Sequence, residues 1–389
     1  MTAPAPLRTL LAAAALLALA APPAAAQRYV AFGDSITEGV GDDETIPEAE
    51  RGYPPRLQAG LRENGEPEAV VVNRGVGAER TPEGLARIDD VLAAEDGDVL
   101  LLMEGSNDIT RDISRETTLF NLAEMARRAR GRGYEVVHAT LIPRIPAASV
   151  DDENVLNQVL NQELRDLAGR VGRRLVDNFY VFGAVPDVFA THYWTAPTDR
   201  VGHPNAMGYD VMAEAFLDVV TDTDGVPPVP GLMSPEHGAR RVSATPTLQI
   251  DLWDFGAGID VAATVLTVDG TAVEAQVNGA ENRAQIFHSV AEPLIGWVEI
   301  GLRTRDLASP ANAFDGRIAR FLIAGTTFLD GDLDESGRVD GADLVAFARV
   351  FGASAGSGRY DRDADFDDDG DVDGEDLAAL AANFGRSSF

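Results

Sequence analysis

The sequence predicts a parallel α/β sheet covered by helices, followed by an antiparallel β-sandwich and a small helical module. Three observations carry this reading. Apolar runs alternate with helix-period stretches from residue 28 to about 220. A Pro- and Gly-rich segment then gives way to short runs of strict alternation. The C-terminal stretch 329–386 repeats an acidic register, each copy opening into an apolar helix.

In the first region Tyr29–Phe32, Ala69–Val72, Val99–Met103, Val136–Leu141 and Leu175–Val181 read as strands. Between them Tyr53–Asn64, Pro82–Ala94, Thr118–Arg130, Val155–Val171 and Ala206–Val220 have helical periodicity. Thr81 is the expected N-cap of the second helix, with Pro82 in its first turn. Alternation with short connections argues for a parallel sheet with both faces covered.

Chemistry collects where these strands stop. Tyr29–Phe32 breaks into Gly33-Asp34-Ser35, and Val71-Val72-Asn73 into Arg74-Gly75-Val76-Gly77-Ala78-Glu79. Leu100–Met103 breaks into Glu104-Gly105-Ser106-Asn107-Asp108, and Asp199-Arg200-Val201-Gly202-His203-Pro204-Asn205 opens the last helix. The carboxyl edge of an open parallel sheet is where such turns meet a ligand. A serine hydroxyl is a poor nucleophile unless a base lies within hydrogen-bond reach. Imidazole titrates near neutrality and can serve as that base.

In this order the blocks resemble the SGNH hydrolase (GDSL esterase/lipase) superfamily over residues 28 to about 220. The resemblance implies a three-layer α/β/α sandwich, flavodoxin-like in its sheet. It implies Ser35 as nucleophile, His203 as general base and Asp199 as the acid that orients the imidazole. The oxyanion hole would combine the Ser35 and Ala78 N–H groups with the Asn107 side-chain amide; no cofactor is implied for catalysis. Two positions depart from the family pattern. Ala78 stands where the family usually has Gly, and Asp199 and His203 are separated by three residues rather than two. Either the turn carries an extra residue or a backbone carbonyl orients His203.

Residues 1–26 read as an export signal: Arg8, an apolar run Leu10–Ala21, then small residues before Gln27. The apolar run is too short to span a bilayer, and the mature chain is expected to be secreted or periplasmic. There is no Cys, and all 32 basic residues are Arg. Thiol nucleophiles, thiolate metal sites, Schiff-base lysines and P-loop lysines are thereby excluded. A formal charge of −31 argues against nucleic acid and against anionic membranes.

Segment 221–231 reads as a linker and 232–328 as a β-sandwich, with alternation at Thr247–Leu252, Val265–Val268 and Trp297–Leu302. Ser234-Pro235, Thr245-Pro246 and Arg305-Asp306-Leu307-Ala308 are similar to bacterial Ig-like modules. A spacer is its expected role, a carbohydrate- or surface-binding module the alternative.

In the tail, Asp332, Asp334, Ser336, Asp340 and Asp343 occupy positions 1, 3, 5, 9 and 12 of a twelve-residue loop, with Gly337 at position 6. Asp365, Asp367, Asp369, Asp373 and Asp376 repeat the register around Gly370. Oxygens at this spacing suit Ca²⁺, with the carbonyls of Arg338 and Asp371 at position 7. Two calcium sites and calcium-linked folding are expected. The doubled loop and helix resembles a type I dockerin over 329–386, which implies a cohesin-type partner.

The expected activity is that of a secreted serine carboxylic-ester hydrolase working through an acyl-enzyme. A polysaccharide O-deacetylase is the first expectation, because dockerin-like tails resemble those of plant-polysaccharide enzymes. Aryl esters, lysophospholipids or an inactive adhesion or scaffold protein are the alternatives. Tyr193 and Trp194 are noted as a candidate sugar-stacking surface, and His192 as a candidate pocket-lining residue.

Overall fold

The computed structural model describes residues 27–111, 113–144, 152–171, 174–194, 202–323, 329–333, 338–354, 360–361, 363–367 and 369–387. The expected export signal, Asp199, Asp334, Ser336 and Gly337 lie outside the described residues.

The chain enters through β1 (Arg28–Gly33), α1 (Ser35–Glu38), α2 (Tyr53–Glu63), β2 (Val70–Gly75) and α3 (Thr81–Glu95). It continues as β3 (Val99–Met103), α4 (Ser106–Thr110), α5 (Arg115–Gly131), β4 (Glu135–Ala139) and α6 (Asp152–Arg170). Then follow β5 (Arg174–Val176), α7 (Asn178–Gly183), α8 (Val188–Thr191) and α9 (Ala206–Val220). The strands order as β2-β1-β3-β4-β5, every pair parallel. Parallel neighbours require crossovers, which is why a helix separates each strand from the next. Central β3 is buried at every position, as a strand covered on both faces must be. Helix α2 packs on α9, where the Tyr53 and Phe216 rings stack at 4.3 Å, and α3 packs on α5.

Three local expectations are corrected. The run Leu175–Val181 is a strand only to Val176, because Asp177 caps α7 by accepting from the Tyr180 N–H at 3.0 Å. Thr81 is not the N-cap of α3. Arg80 holds that position, and Glu83 reaches back to its N–H at 2.9 Å. The expected linker ends early, since Val229–Gly231 already belong to a strand.

That strand, β6 (Val229–Ser234), precedes β7 (Thr247–Trp253), β8 (Val265–Val268), β9 (Thr271–Val273) and β10 (Gln276–Ala280). After these come β11 (Arg283–Ser289), β12 (Trp297–Arg305) and β13 (Ala313–Leu322). They form two antiparallel sheets, β10-β11-β7-β6 and β13-β12-β8-β9. Their inward residues, among them Ile250, Leu252, Ile286, Leu266, Ile300 and Phe321, share one core. The two-residue period places one face of each strand in it.

The sandwich is docked on α6. Gly169 faces Trp253 so closely that a Cβ there would lie 2.3 Å from the indole. Trp253 Nε1 donates to Asp166 at 3.2 Å, and Gln158 Nε2 donates to the Ile318 carbonyl at 2.6 Å. Buried Arg165 joins Asp177 at 2.6 Å to the Pro230 carbonyl at 3.0 Å.

The tail carries α10 (Gly341–Val350) and α11 (Gly374–Asn383). Each loop pairs with the chain leaving the other helix: Arg338 bridges Ser387, and Ser354 bridges Asp371. Val339, Val372, Phe347, Leu380 and Ala364 fill the core between the repeats.

Candidate active site

The Ser35 turn is built by close packing. A Cβ on Gly33 would lie 2.0 Å from the Met103 carbonyl, and one on Gly75 would lie 2.1 Å from the Glu38 nitrogen. Glycine at both positions lets the ends of β1, β2 and β3 converge. Asp34 then caps α1, accepting from the Ile36 N–H at 2.9 Å, and places Ser35 as the first helical residue. Burial pushes the Asp34 carboxyl up to about 6, against the Ile36 hydrogen bond and the nearby His203 imidazole, which pull it down.

His203 arrives from the other end of the domain. Ser35 Oγ lies 2.8 Å from His203 Nε2, and both side chains are buried. The histidine segment is pinned by backbone: the Trp194 N–H donates to the His203 carbonyl at 2.8 Å, and Tyr193 bridges Pro204. Asn205 caps α9 by accepting from the Gly208 N–H at 3.2 Å, while its amide donates to the Thr191 carbonyl at 2.9 Å. A Cβ on Gly41 would fall 2.9 Å from the His203 Cβ, so the loop after α1 packs against the base of that side chain.

Asn107 lies in α4, entered through Gly105 at φ 127. Its Nδ2 donates one hydrogen to the Glu79 carbonyl at 2.9 Å, setting the amide beside the Glu79–Arg80 peptide. The second hydrogen on that nitrogen meets no acceptor among the described residues. Ala78 sits at φ 61, in the left-handed region. Keeping a side chain there costs about 1–2 kcal/mol, the kind of strain that active sites hold.

Several supporting residues were not singled out from sequence. Asp108 accepts from the Thr81 N–H at 2.9 Å, the Thr81 hydroxyl at 2.5 Å and the Thr118 hydroxyl at 2.7 Å. This is the task that takes Thr81 away from capping, and it ties α4 to α3 and α5. Glu79 is gripped by Arg87 through Nε at 2.6 Å and Nη2 at 2.5 Å. The Arg87 guanidinium also lies 3.9 Å over the Phe32 ring. A turn-to-helix Glu-Arg pairing eight residues apart has no local pattern that would reveal it.

Residues 31–211 match the GDSL-like Lipase/Acylhydrolase family. Esterase TesA of Pseudomonas aeruginosa is 33% identical over 128 residues, a stretch of 33% of this chain and 61% of that protein. Arylesterase of Vibrio mimicus is 29% identical over 119 residues, 31% of this chain and 56% of that protein. The matches thus span about three fifths of these relatives' lengths. Among solved structures, an acetylxylan esterase from Geobacillus stearothermophilus aligns at 21% identity and TM-score 0.43, covering 50% of this chain and 94% of that one. An alpha/beta hydrolase from the metagenome of Lake Arreo, Spain, aligns at 26% identity and TM-score 0.43, covering 52% and 98%.

Of the aromatic residues ahead of the GDSL-like segment's last block, Tyr193 is buried, its hydroxyl donating to the Pro143 carbonyl, so it offers no stacking face. Trp194 is half-buried and meets the His203 ring edge to face at 6.4 Å. His192 is half-buried and engages Thr191 through Nδ1 at 2.7 Å.

In the tail, oxygens of Asp365, Asp367 and Asp369 lie within 4.8 Å of one another. Asp365 Oδ2 also accepts from the Gly370 N–H at 3.0 Å, where φ is 95. The last residue of each loop closes it in the same way. Asp343 accepts from the Leu333 and Asp340 N–H groups, both at 2.7 Å, and Asp376 from those of Phe366 at 2.6 Å and Asp373 at 2.8 Å. Asp340 and Asp373 act as N-caps of α10 and α11. Asp371 is held above the usual carboxylate range by desolvation and then by Asp369, Asp373, Asp376 and Asp365. Asp332 is buried at the head of the first loop.

Proposed function

We propose that residues 27–220 form a serine carboxylic-ester hydrolase. The observation that carries this is the 2.8 Å contact between Ser35 Oγ and His203 Nε2, joining a nucleophile to a base. His203 takes the hydroxyl proton as Ser35 Oγ attacks the ester carbonyl. The tetrahedral oxyanion is held by the Ser35 and Ala78 N–H groups and the free hydrogen of the Asn107 amide. The intermediate collapses, His203 passes its proton to the departing alkoxide, and the acyl group stays on Ser35. Water attacks the acyl-enzyme with His203 again as base and releases the acid. Asp199 is the proposed acid behind the imidazole, where a carboxylate would hold the tautomer and stabilise the imidazolium.

The proposed substrate class is an O-acetylated polysaccharide. Support comes from the dockerin-like tail and from half-buried Trp194 beside His203, which offers a flat apolar face to a sugar ring. Aryl acetates are the second class, favoured by the relative named an arylesterase.

The tail is proposed to bind two calcium ions. In the second loop the convergent Asp365, Asp367 and Asp369 oxygens fit an oxygen-seeking cation, with Asp371 and Asp376 completing the set. In the first loop Asp332, Asp334, Ser336, Arg338 and Asp343 would do the same. Calcium would neutralise this charge and rigidify the module, a surface for a cohesin-type partner. Export to the periplasm or medium completes the reading.

The test is a panel of acetylated xylan, pectin, aryl acetates and lysolipids, assayed on the wild type and Ser35→Ala. Hydrolysis of acetylated xylan abolished by the substitution is expected. Equal, uncatalysed rates for both proteins on every ester would overturn the enzyme reading.

A further inference from the structure

Glu104 is the residue between β3 and the Gly105 turn. It is 1% exposed, and neither carboxyl oxygen meets a hydrogen-bond donor among the described residues. Its head is pressed against α3, where a Cβ on Gly84 would lie 2.3 Å from Oε2 and 2.7 Å from Oε1. Glycine at 84 is what admits the carboxyl.

The charged groups facing it come from each turn of the site. Asp34 stands after β1, Glu79 after β2, Asp108 in α4 and Arg87 in α3. Arg87 is already committed to Glu79 through both Nε and Nη2. A carboxylate at 104 would therefore face three others with the nearby cation engaged elsewhere.

We propose that Glu104 is a positioning residue of the site, filling the space beneath the three turns as the uncharged acid and disrupting their convergence when it ionises. Each of its acidic neighbours adjoins a reacting group. Asp34 precedes Ser35, Glu79 follows Ala78 and receives the Asn107 amide, and Asp108 follows Asn107. Repulsion from a fourth charge acts on all three junctions together. Burial, with Glu79, Asp34 and Asp108 adding to it and Arg87 opposing, holds the carboxyl well above its ordinary range. A buried acid kept neutral at working pH is a known use of such an environment.

The activity readout rests on the ester-hydrolase reading of the same site. Full-length wild type, Glu104→Gln and Glu104→Met are assayed with p-nitrophenyl acetate from pH 5 to pH 10, with Ser35→Ala as baseline. Wild-type kcat is expected to fall about tenfold per pH unit beyond an alkaline midpoint, with KM within about twofold. Both variants are expected to keep an alkaline plateau and the wild-type acid limb. A wild-type alkaline limb retained in both variants, or none in the wild type up to pH 10, overturns the proposal. A wild type no faster than Ser35→Ala at any pH sinks the ester reading instead. Glu104 is then judged by melting temperature: the wild type loses stability toward pH 10 that both variants retain, and parallel curves overturn the role.

Discussion

Ser35 Oγ and His203 Nε2 meet at 2.8 Å although 168 positions separate them in the chain. The serine is set by the cap and glycine packing at the end of β1, the histidine by strand-like pairing with residues 193 and 194 ahead of α9. Neither support depends on the other. Ser35→Ala and His203→Ala are each expected to abolish turnover of p-nitrophenyl acetate while leaving the melting temperature within a few degrees of wild type. The double variant should be no worse than either single one, because the two groups act as a unit.

Asn107 has one amide hydrogen on the Glu79 carbonyl, and the proposed oxyanion hole takes the other. Asn107→Ala is expected to lower kcat by about 10²–10³ with little change in KM. A raised KM with unchanged kcat would show that it serves ground-state binding.

Ala78 holds a left-handed backbone at φ 61. Ala78→Gly keeps the N–H and removes the Cβ penalty, so stability should rise by up to about 1 kcal/mol. Ala78→Val should do the reverse and lose activity as the turn distorts. A denaturant melt of both variants checks the sign.

Arg165 is a buried link between the parallel sheet and the sandwich, holding Asp177 and the Pro230 carbonyl. Arg165→Ala strands a buried carboxylate and should cost about 3–5 kcal/mol. Gly169→Val should disturb the same seam by driving a side chain into Trp253. Calorimetry is expected to show the sandwich melting apart from the first domain in both variants.

His237, buried at the start of the sandwich, accepts from the Arg320 N–H at 3.1 Å. Burial, then Arg317 and Arg320, pulls it down from 6.5 to about 4. The unfolded chain therefore binds the proton first, and stability is lost as pH falls from 6.5 toward 4. His237→Gln should flatten the melting temperature across that window. An unchanged slope would assign the acid sensitivity elsewhere.

Calcium added to the chelated full-length chain should raise the melting temperature of the tail, and Asp365→Ala should remove half or more of the gain. No response up to millimolar calcium would count against both loops.

The amino-acid order by itself determined the alternation of strands and helices, the four turns and the doubled acidic register, because periodicity and turn chemistry are local. It misread Leu175–Val181, whose aromatic and β-branched residues favour a strand, since Asp177 supplied a cap that outweighed them. What only the tertiary structure decided is the environment of each charge. Thr81 leaves its capping role for Asp108, Arg87 closes on Glu79, and Glu104 ends without a donor among the described residues. Burial and through-space pairing set those outcomes, and both depend on which segments the sheet brings together.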